Sequence, residues 1–289
     1  RGLGDVYKRQ ILKEQVCMYK VDIEKCIGCG LCIKDCFVKD IELIDNKANI
    51  KNERCMKCGH CVAICPKGVV STDTYNMDDV KEYSEIDFDI KPDTLLNFIK
   101  FRRSTRNFKE KDVEDEKILK IIEAGRFTQT STNSQDVSYI VVKENIDKLK
   151  EMVFVTLNNL GENIIKNLNE ETIVFKRYAE MWINMYDAFK KNPKNDSIFF
   201  NAPSVILVVS NNPINGALAS SNMELVTNAL GLGTFFSGFF VKASEENPEI
   251  RNFIGLKENQ KVVSCMVIGY PNVTYKRTAP RKDAEISWK

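Results

Sequence analysis

Cys26-Ile27-Gly28-Cys29-Gly30-Leu31-Cys32-Ile33-Lys34-Asp35-Cys36 and Cys55-Met56-Lys57-Cys58-Gly59-His60-Cys61-Val62-Ala63-Ile64-Cys65-Pro66 hold eight of the ten cysteines in this 289-residue chain. Each run reads Cys-x-x-Cys-x-x-Cys-x-x-x-Cys. In that spacing three close thiolates curl around one cubane iron–sulfur cluster and the fourth reaches across to another. On this rule Cys26, Cys29, Cys32 and Cys65 hold one [4Fe–4S] cluster, and Cys55, Cys58, Cys61 and Cys36 hold a second. A single Cys-x-x-Cys is ambiguous between a zinc knuckle, a redox pair and chance. The tandem duplication leaves those rivals little room, because zinc sites separate their cysteine pairs by longer loops. Gly28, Gly30 and Gly59 stand between ligands, where the backbone must turn sharply and aim N–H groups at sulfide. The spacing predicts a chain that moves electrons.

Over about Val21–Tyr75 the segment resembles bacterial two-cluster ferredoxins. It departs from them at Phe37, which follows Cys36, so that the usual proline is found only as Pro66 after Cys65. The rest of the composition agrees with a reducing compartment. The length suggests about two domains, and 43% hydrophobic residues is enough for a sizeable core. A formal net charge of +2 predicts no general affinity for nucleic acid or membrane. No apolar run approaches the ~20 residues of a membrane span, and no signal-peptide pattern is present. Cluster-ligating thiolates point to the cytoplasm. Cys17 and Cys265 read as ordinary core or surface residues. Residues 1–10, which lack an initiating methionine, read as an artefactual leader and are set aside from the fold.

Four segments are expected: an N-terminal extension (1–20), a two-cluster domain (21–75), an acidic linker (76–94) and a second domain (95–289). The linker carries Asp78, Asp79, Glu82, Glu85, Asp87, Asp89 and Asp93 against Lys81 and Lys91. It reads as a solvated connection, with docking of a basic redox partner as the sharper alternative. The second domain reads as α+β. Asp93 or Thr94 can cap a helix whose apolar face is Leu95, Leu96, Phe98 and Ile99. Glu114–Phe127 is a second helix with Ile118, Ile121 and Ile122 inward, and Lys148–Lys190 holds two more. Val137–Val142, Ser204–Ser210 and Val262–Gly269 are strands. Ala217–Leu230 is helical, with Gly231 at its C-terminal end.

Four polar or glycine-rich segments of this half have chemistry to offer a ligand. Arg102-Arg103-Ser104-Thr105-Arg106 puts three guanidiniums and a hydroxyl at a helix end, a set that binds phosphate through charge-assisted bidentate hydrogen bonds. Thr130-Ser131-Thr132-Asn133-Ser134-Gln135 can address the edge of a planar heteroaromatic. Gly231-Leu232-Gly233-Thr234-Phe235-Phe236-Ser237-Gly238 lets backbone approach a flat ring. Tyr275-Lys276-Arg277-Thr278-Ala279-Pro280-Arg281-Lys282 is a second basic cluster. Taken singly, each of these also reads as ordinary surface.

In this order and at these separations the four segments resemble the nitroreductase family of FMN enzymes, over roughly Leu95 to Lys289. The resemblance implies an α+β domain with a central, mostly antiparallel sheet flanked by helices, built as an intertwined homodimer with two FMN sites. It implies that Arg102, Arg103, Ser104 and Arg106 grip the FMN phosphate, ribityl chain and pyrimidine edge. Thr130, Ser131 and Asn133 would come from the partner subunit, Ser237 and Gly238 would lie against the isoalloxazine, and Arg281, with Lys276 or Arg277 as alternatives, would return to the phosphate. The aromatic that usually follows the Asn-x-Gln motif is absent, replaced by Asp136 and Val137. No catalytic side chain is required, because the flavin carries the chemistry.

The expected function is an FMN-dependent oxidoreductase. It passes electrons from a low-potential donor such as ferredoxin, through two [4Fe–4S] clusters and FMN, to an organic acceptor such as a nitroaromatic or quinone. The alternatives are an electron-transfer or sensing protein that serves a protein partner, and an NAD(P)H-dependent nitroreductase. His60, the one histidine, is read as a surface residue or as a tuner of the nearby cluster. Tyr139, Trp182 and Phe235 are read as core, with stacking on substrate as the alternative.

Overall fold

The computed structural model describes residues 18–289; Cys17 and residues 1–10, the stretch expected to be artefactual, lie outside the described residues. The chain divides into two compact units, one ending at Asp89 and the other spanning Ile90–Lys289.

The first unit repeats a strand–helix–strand theme. Its elements are β1 (Tyr19–Val21), α1 (Leu31–Asp35), β2 (Ile41–Ile44), β3 (Lys47–Ile50), α2 (His60–Ala63) and β4 (Val70–Thr72). β1 pairs antiparallel with β4, Tyr19 opposite Thr72, and β2 with β3, Ile41 opposite Ile50. Asp45 and Asn46 join β2 to β3, both with positive φ (50° and 59°). That geometry is the two-residue hairpin turn whose twist matches its strands, and Asp and Asn tolerate it best among non-glycine residues. Among the described residues the apolar core is small: Tyr19, Cys26, Ile41, Ala48, Val69 and Val70, with most of the other cysteines packed against them. The expected acidic linker contains a 3-10 turn (Met77–Asp79) and a short helix, α3 (Glu85–Phe88).

The second unit is a four-stranded antiparallel sheet between two helical layers. Its elements are α4 (Pro92–Phe101), α5 (Asp115–Arg126), β5 (Ser138–Val142), α6 (Ile146–Lys166), α7 (Lys176–Lys191), β6 (Ser204–Val209), α8 (Pro213–Ala229), β7 (Gly233–Phe236), α9 (Gly238–Glu246), α10 (Pro248–Phe253) and β8 (Val262–Gly269). The strand order is β5-β6-β8-β7, with every neighbour antiparallel. β6 and β8 occupy the middle, which is why both read as unbroken apolar runs. Alternation splits their side chains between two cores. Val205, Leu207, Val209, Cys265 and Val267 face Leu149, Phe154, Leu157, Trp182 and Phe240 of the α6–α7–α9 layer. Ile206, Val208, Met266 and Ile268 face Ile118, Ile121, Ala219 and Met223 of the α5–α8 layer. Cys265 is therefore a core residue.

Three expectations at the element level change. α4 begins at Pro92, and neither Asp93 nor Thr94 caps it. Proline suits the first helical position because its φ is already helical and its missing N–H would have no partner there. Its apolar residues Leu95, Leu96 and Ile99 are 40–46% exposed within the chain rather than turned into the core. α8 starts one turn earlier than expected, at Pro213, where the Asn212 side chain accepts a hydrogen bond from the Ile214 N–H. Among the described residues no helix is long and apolar enough to cross a membrane.

Candidate functional site

Two cavities in the first unit sort the eight cysteines four and four. Cys26, Cys29, Cys32 and Cys65 line one, and Cys36, Cys55, Cys58 and Cys61 line the other, which is the larger. The sorting follows from the pseudo-repeat: α1 and α2 each start at a glycine in the left-handed region, Gly30 (φ 72°) and Gly59 (φ 75°), and each run's last cysteine lies beyond its helix. Gly28 has φ 66°, and a Cβ placed on it would sit 2.1 Å from the Asn46 carbonyl oxygen, so no other residue fits. Backbone N–H groups already point at sulfur: Ala48 to Cys26 (3.5 Å), Asp40 to Cys36 (3.4 Å) and Lys57 to Cys55 (3.4 Å). Among the described residues no three His, Cys, Asp or Glu side chains converge as they would on a single metal ion. The thiols surround space instead, and that donor set fits a cluster better than zinc.

The electrostatics of the two cavities differ. Burial pushes the Cys61 thiol up to about 12, helped by Cys55 and Cys58. Burial likewise raises Cys32 and Cys55, while hydrogen bonds from the Ala48 and Gly28 N–H groups lower Cys26. Buried thiols of this kind become thiolates only beside a positive charge such as iron. Around the first cavity the wall is apolar apart from the cysteines and Lys67. The second is lined also by Tyr19, Asp35, Asp40 and His60. Among the described residues the buried Tyr19 Oη and Asp40 Oδ2 have no hydrogen-bond partner. His60 is exposed, and its Nδ1 is 3.1 Å from Asp35 Oδ2, a surface placement at the rim.

In the second unit the segment after α4 runs beside β7. Ser104 forms an isolated parallel bridge with Thr234, and the Thr105 N–H donates to the Thr234 carbonyl at 2.9 Å. Gly233 permits this approach, since a Cβ there would lie 2.4 Å from Thr105 Oγ1. The Arg102–Arg106 segment and the Gly233–Gly238 segment are thus brought together as the sequence suggested. Arg106 lays its guanidinium 4.6 Å from the centroid of Phe235, whose ring meets Phe200 edge-on at 5.1 Å. Ser237 is buried and its N–H donates to the Cys265 carbonyl, while Gly238 is exposed at the first position of α9.

Arg102 is not free to move. Its guanidinium donates at 2.8 Å to Glu224, a carboxylate of α8 with a residue exposure of 6%. Burial raises the Glu224 pKa and the Arg102 charge works against that rise. Glu224 was missed in the sequence, where nothing links it to a residue 122 positions earlier. The terminal basic segment makes its contact through Tyr275, whose hydroxyl donates to the Ser104 carbonyl at 3.2 Å. Arg281 is exposed and turns its guanidinium onto the neighbouring Pro280 carbonyl.

The Thr130–Gln135 loop sits elsewhere on the unit. Thr132, Asn133 and Gln135 all have positive φ (53°, 55° and 46°). The loop is held by α8: Asn215 Oδ1 accepts from the Ser131 N–H, and Asn215 Nδ2 donates to Asp136 at 2.7 Å. Asp136 also accepts from Ser134 and Ser210 hydroxyls. Burial alone would raise its carboxyl, but the bonds from Ser210, Asn215, Ser134 and the Asn212 N–H bring it down to about 2. Asn215 and Glu224 lie ~14 Å apart along α8 at the helical rise. Within one chain the loop is therefore separate from the arginine segment.

A cleft of about 880 Å³ opens between α7 and the loop before β6. Arg106, Arg177, Met181, Asn184, Phe200 and Asn201 are among its walls, so it shares Arg106 with the arginine segment. Tyr139 is half-buried, its hydroxyl against Gly125, and Trp182 is buried in the sheet core. Both are packing residues; Phe235 supports Arg106.

The model of the nitroreductase family matches residues 99–270, and that of a 4Fe-4S dicluster domain matches residues 18–66. A protein of Archaeoglobus fulgidus named NADH dehydrogenase/NAD(P)H nitroreductase is 24% identical over 182 residues, 61% of this chain and 84% of its own length. A nitroreductase from Bacteroides fragilis, solved with bound FMN, superposes with a TM-score of 0.50 at 18% identity, over 68% of this chain and 98% of its own. A second, from Desulfitobacterium hafniense and also solved with FMN, gives 0.49 at 19% identity, over 68% and 100%.

Proposed function

We propose, on the premise that this chain belongs to the nitroreductase family and carries a 4Fe-4S dicluster domain ahead of it, how the two units work as one oxidoreductase. Electrons enter from a low-potential donor such as ferredoxin, pass through two [4Fe–4S] clusters, and leave by way of FMN to an organic acceptor of the nitroaromatic or quinone type. The observation that carries this reading is the four-and-four sorting of cysteines into two cavities, within a chain whose other unit presents three clustered guanidiniums. When bound, FMN supplies the exchange between one- and two-electron chemistry, and the clusters supply one-electron transfer.

The chain's own residues bind and orient. Arg102, Arg103, Ser104 and Arg106 offer the donor set for a phosphate and a pyrimidine edge, and Ser237 and Gly238 bring backbone to the same place through the Ser104–Thr234 bridge. Arg281 has the chemistry for the phosphate as well, though the contact of its segment with Ser104 is made by Tyr275. Thr130, Ser131 and Asn133 complete the site of a partner subunit in a homodimer, which fits their distance from Arg102 within one chain and the exposed apolar residues of α4. The cleft bordered by Arg106 admits the acceptor, its volume lying in the usual range for small-molecule pockets.

The name of the Archaeoglobus relative adds a nicotinamide donor as the second reading. One anaerobic experiment separates the two: the reconstituted chain and its Cys58→Ser variant are each mixed with reduced ferredoxin or with NADH, and flavin bleaching is followed. Bleaching by ferredoxin in the wild type, lost in Cys58→Ser with FMN still bound, is the expected result. Equal ferredoxin rates in both proteins would overturn the cluster route; bleaching by NADH alone would favour the second reading.

A further inference from the structure

We propose that the Tyr19 hydroxyl donates a hydrogen bond to the cluster held by Cys36, Cys55, Cys58 and Cys61, and raises the reduction potential of that cluster alone. The inference rests on the two-cluster reading above. Tyr19 is 2% exposed and lines the second cavity, and its Oη has no hydrogen-bond partner among the described residues. Buried hydroxyls almost always find an acceptor, and leaving one unmet is costly. The Tyr19 backbone is held in β1 opposite Thr72, and Asn52 grips it on both sides, accepting from the Tyr19 N–H at 2.8 Å and donating to its carbonyl at 3.0 Å.

Tyr75 and the sulfurs of Cys61, Cys55 and Cys58 all act on the hydroxyl electrostatically. Of these, the three cysteines line the same cavity as Tyr19 and Tyr75 does not, so the cavity points to the sulfurs as the acceptor. The first cavity has no hydroxyl counterpart among its lining residues: apart from the cysteines and Lys67 it is walled by apolar groups such as Val21, Ile27, Leu31, Val69 and Val70. Reduction adds one electron and one negative charge to a cluster. A donor aimed at its sulfurs stabilises the reduced form more than the oxidised one, and so raises the potential. The other atom of this cavity's lining residues without a partner among the described residues, Asp40 Oδ2, belongs to an acid and acts in the opposite sense.

The test is a potentiometric titration of the full-length reconstituted protein, followed by electron paramagnetic resonance, with iron and sulfide content measured alongside. In Tyr19→Phe, which keeps the ring and removes the donor, one of the two cluster waves should move to lower potential while the other stays. Asp40→Asn should move that same wave upward, which identifies it. Superimposable waves in wild type and Tyr19→Phe, or an equal shift of both, would overturn the inference. A wild type that assembles fewer than two clusters would instead sink the reading beneath it. If Tyr19→Phe fails to assemble, wild-type protein grown on 3-fluorotyrosine decides: its stronger phenol donor should raise one wave, and an unmoved wave rejects the proposal.

Discussion

Gly28 and Gly59 both adopt positive φ, yet they should answer differently to the same substitution. At Gly59 the space beyond Cα is open, so Gly59→Ala meets only the left-handed backbone penalty, about 1–2 kcal/mol. At Gly28 the methyl would also meet the Asn46 carbonyl, and Gly28→Ala should add about 1–3 kcal/mol of overpacking and lower iron incorporation. Thermal melts of the two variants, with iron content, check the difference. Asp136 gives a pH signature. Its folded-state pKa of about 2 lies below the usual 3.8, so its contribution to stability is complete above pH ~4 and is lost as the pH falls toward 2. After allowance for partial solvent exposure the loss should be roughly 1–2 kcal/mol, and Asp136→Asn should flatten that part of the stability profile. The ligand cysteines were legible because their spacing is local. Tyr19, Glu224 and Asp136 were not, since their roles come from partners far away in sequence and from burial that no motif encodes.

Among the elements, β6 and β8 could be read from sequence because a central strand buried on both faces is apolar throughout. β7 could not: it has four residues, opens on a glycine, and lies at the sheet edge, where only the Thr105–Thr234 contact completes its pairing. The two helices that follow it, α9 and α10, were also unread, being too short for a clear periodicity. α8 braces two separate segments, holding the 130–135 loop through Asn215 at one end and Arg102 through Glu224 further along. Glu224→Ala should leave Arg102 unsteadied and weaken FMN binding about 3- to 10-fold, equivalent to roughly 0.7–1.4 kcal/mol, while Glu224→Gln should recover part of it. Fluorescence titration of FMN into the apo-protein measures both. α4 shows how an amphipathic pattern can be read correctly and still mislead about burial. Its apolar residues meet solvent within one chain, and in the proposed homodimer Ile99→Glu should shift the sedimentation profile toward monomer.

At the scale of the whole molecule the two units differ in what holds them. The Ile90–Lys289 unit has two extensive apolar cores, one on each face of its sheet. Among its described residues the unit ending at Asp89 buries six apolar side chains, one of them a cysteine, and so small a core is usually supplemented by a metal or a covalent staple. Stripping iron with a chelator should therefore abolish the calorimetric transition of the first unit and leave that of the second within a few degrees of its holo value. Two transitions that both survive iron removal would contradict this division of labour.

The crossing of Cys36 and Cys65 into opposite cavities has a consequence for a broken chain. A protease nick in the Asp45–Asn46 turn would put Cys26, Cys29, Cys32 and Cys36 on one fragment and Cys55, Cys58, Cys61 and Cys65 on the other. On the proposed ligation each cluster would then span both fragments, three sulfurs to one side and one to the other. The nicked protein should migrate as one species until its iron is removed, and only then come apart.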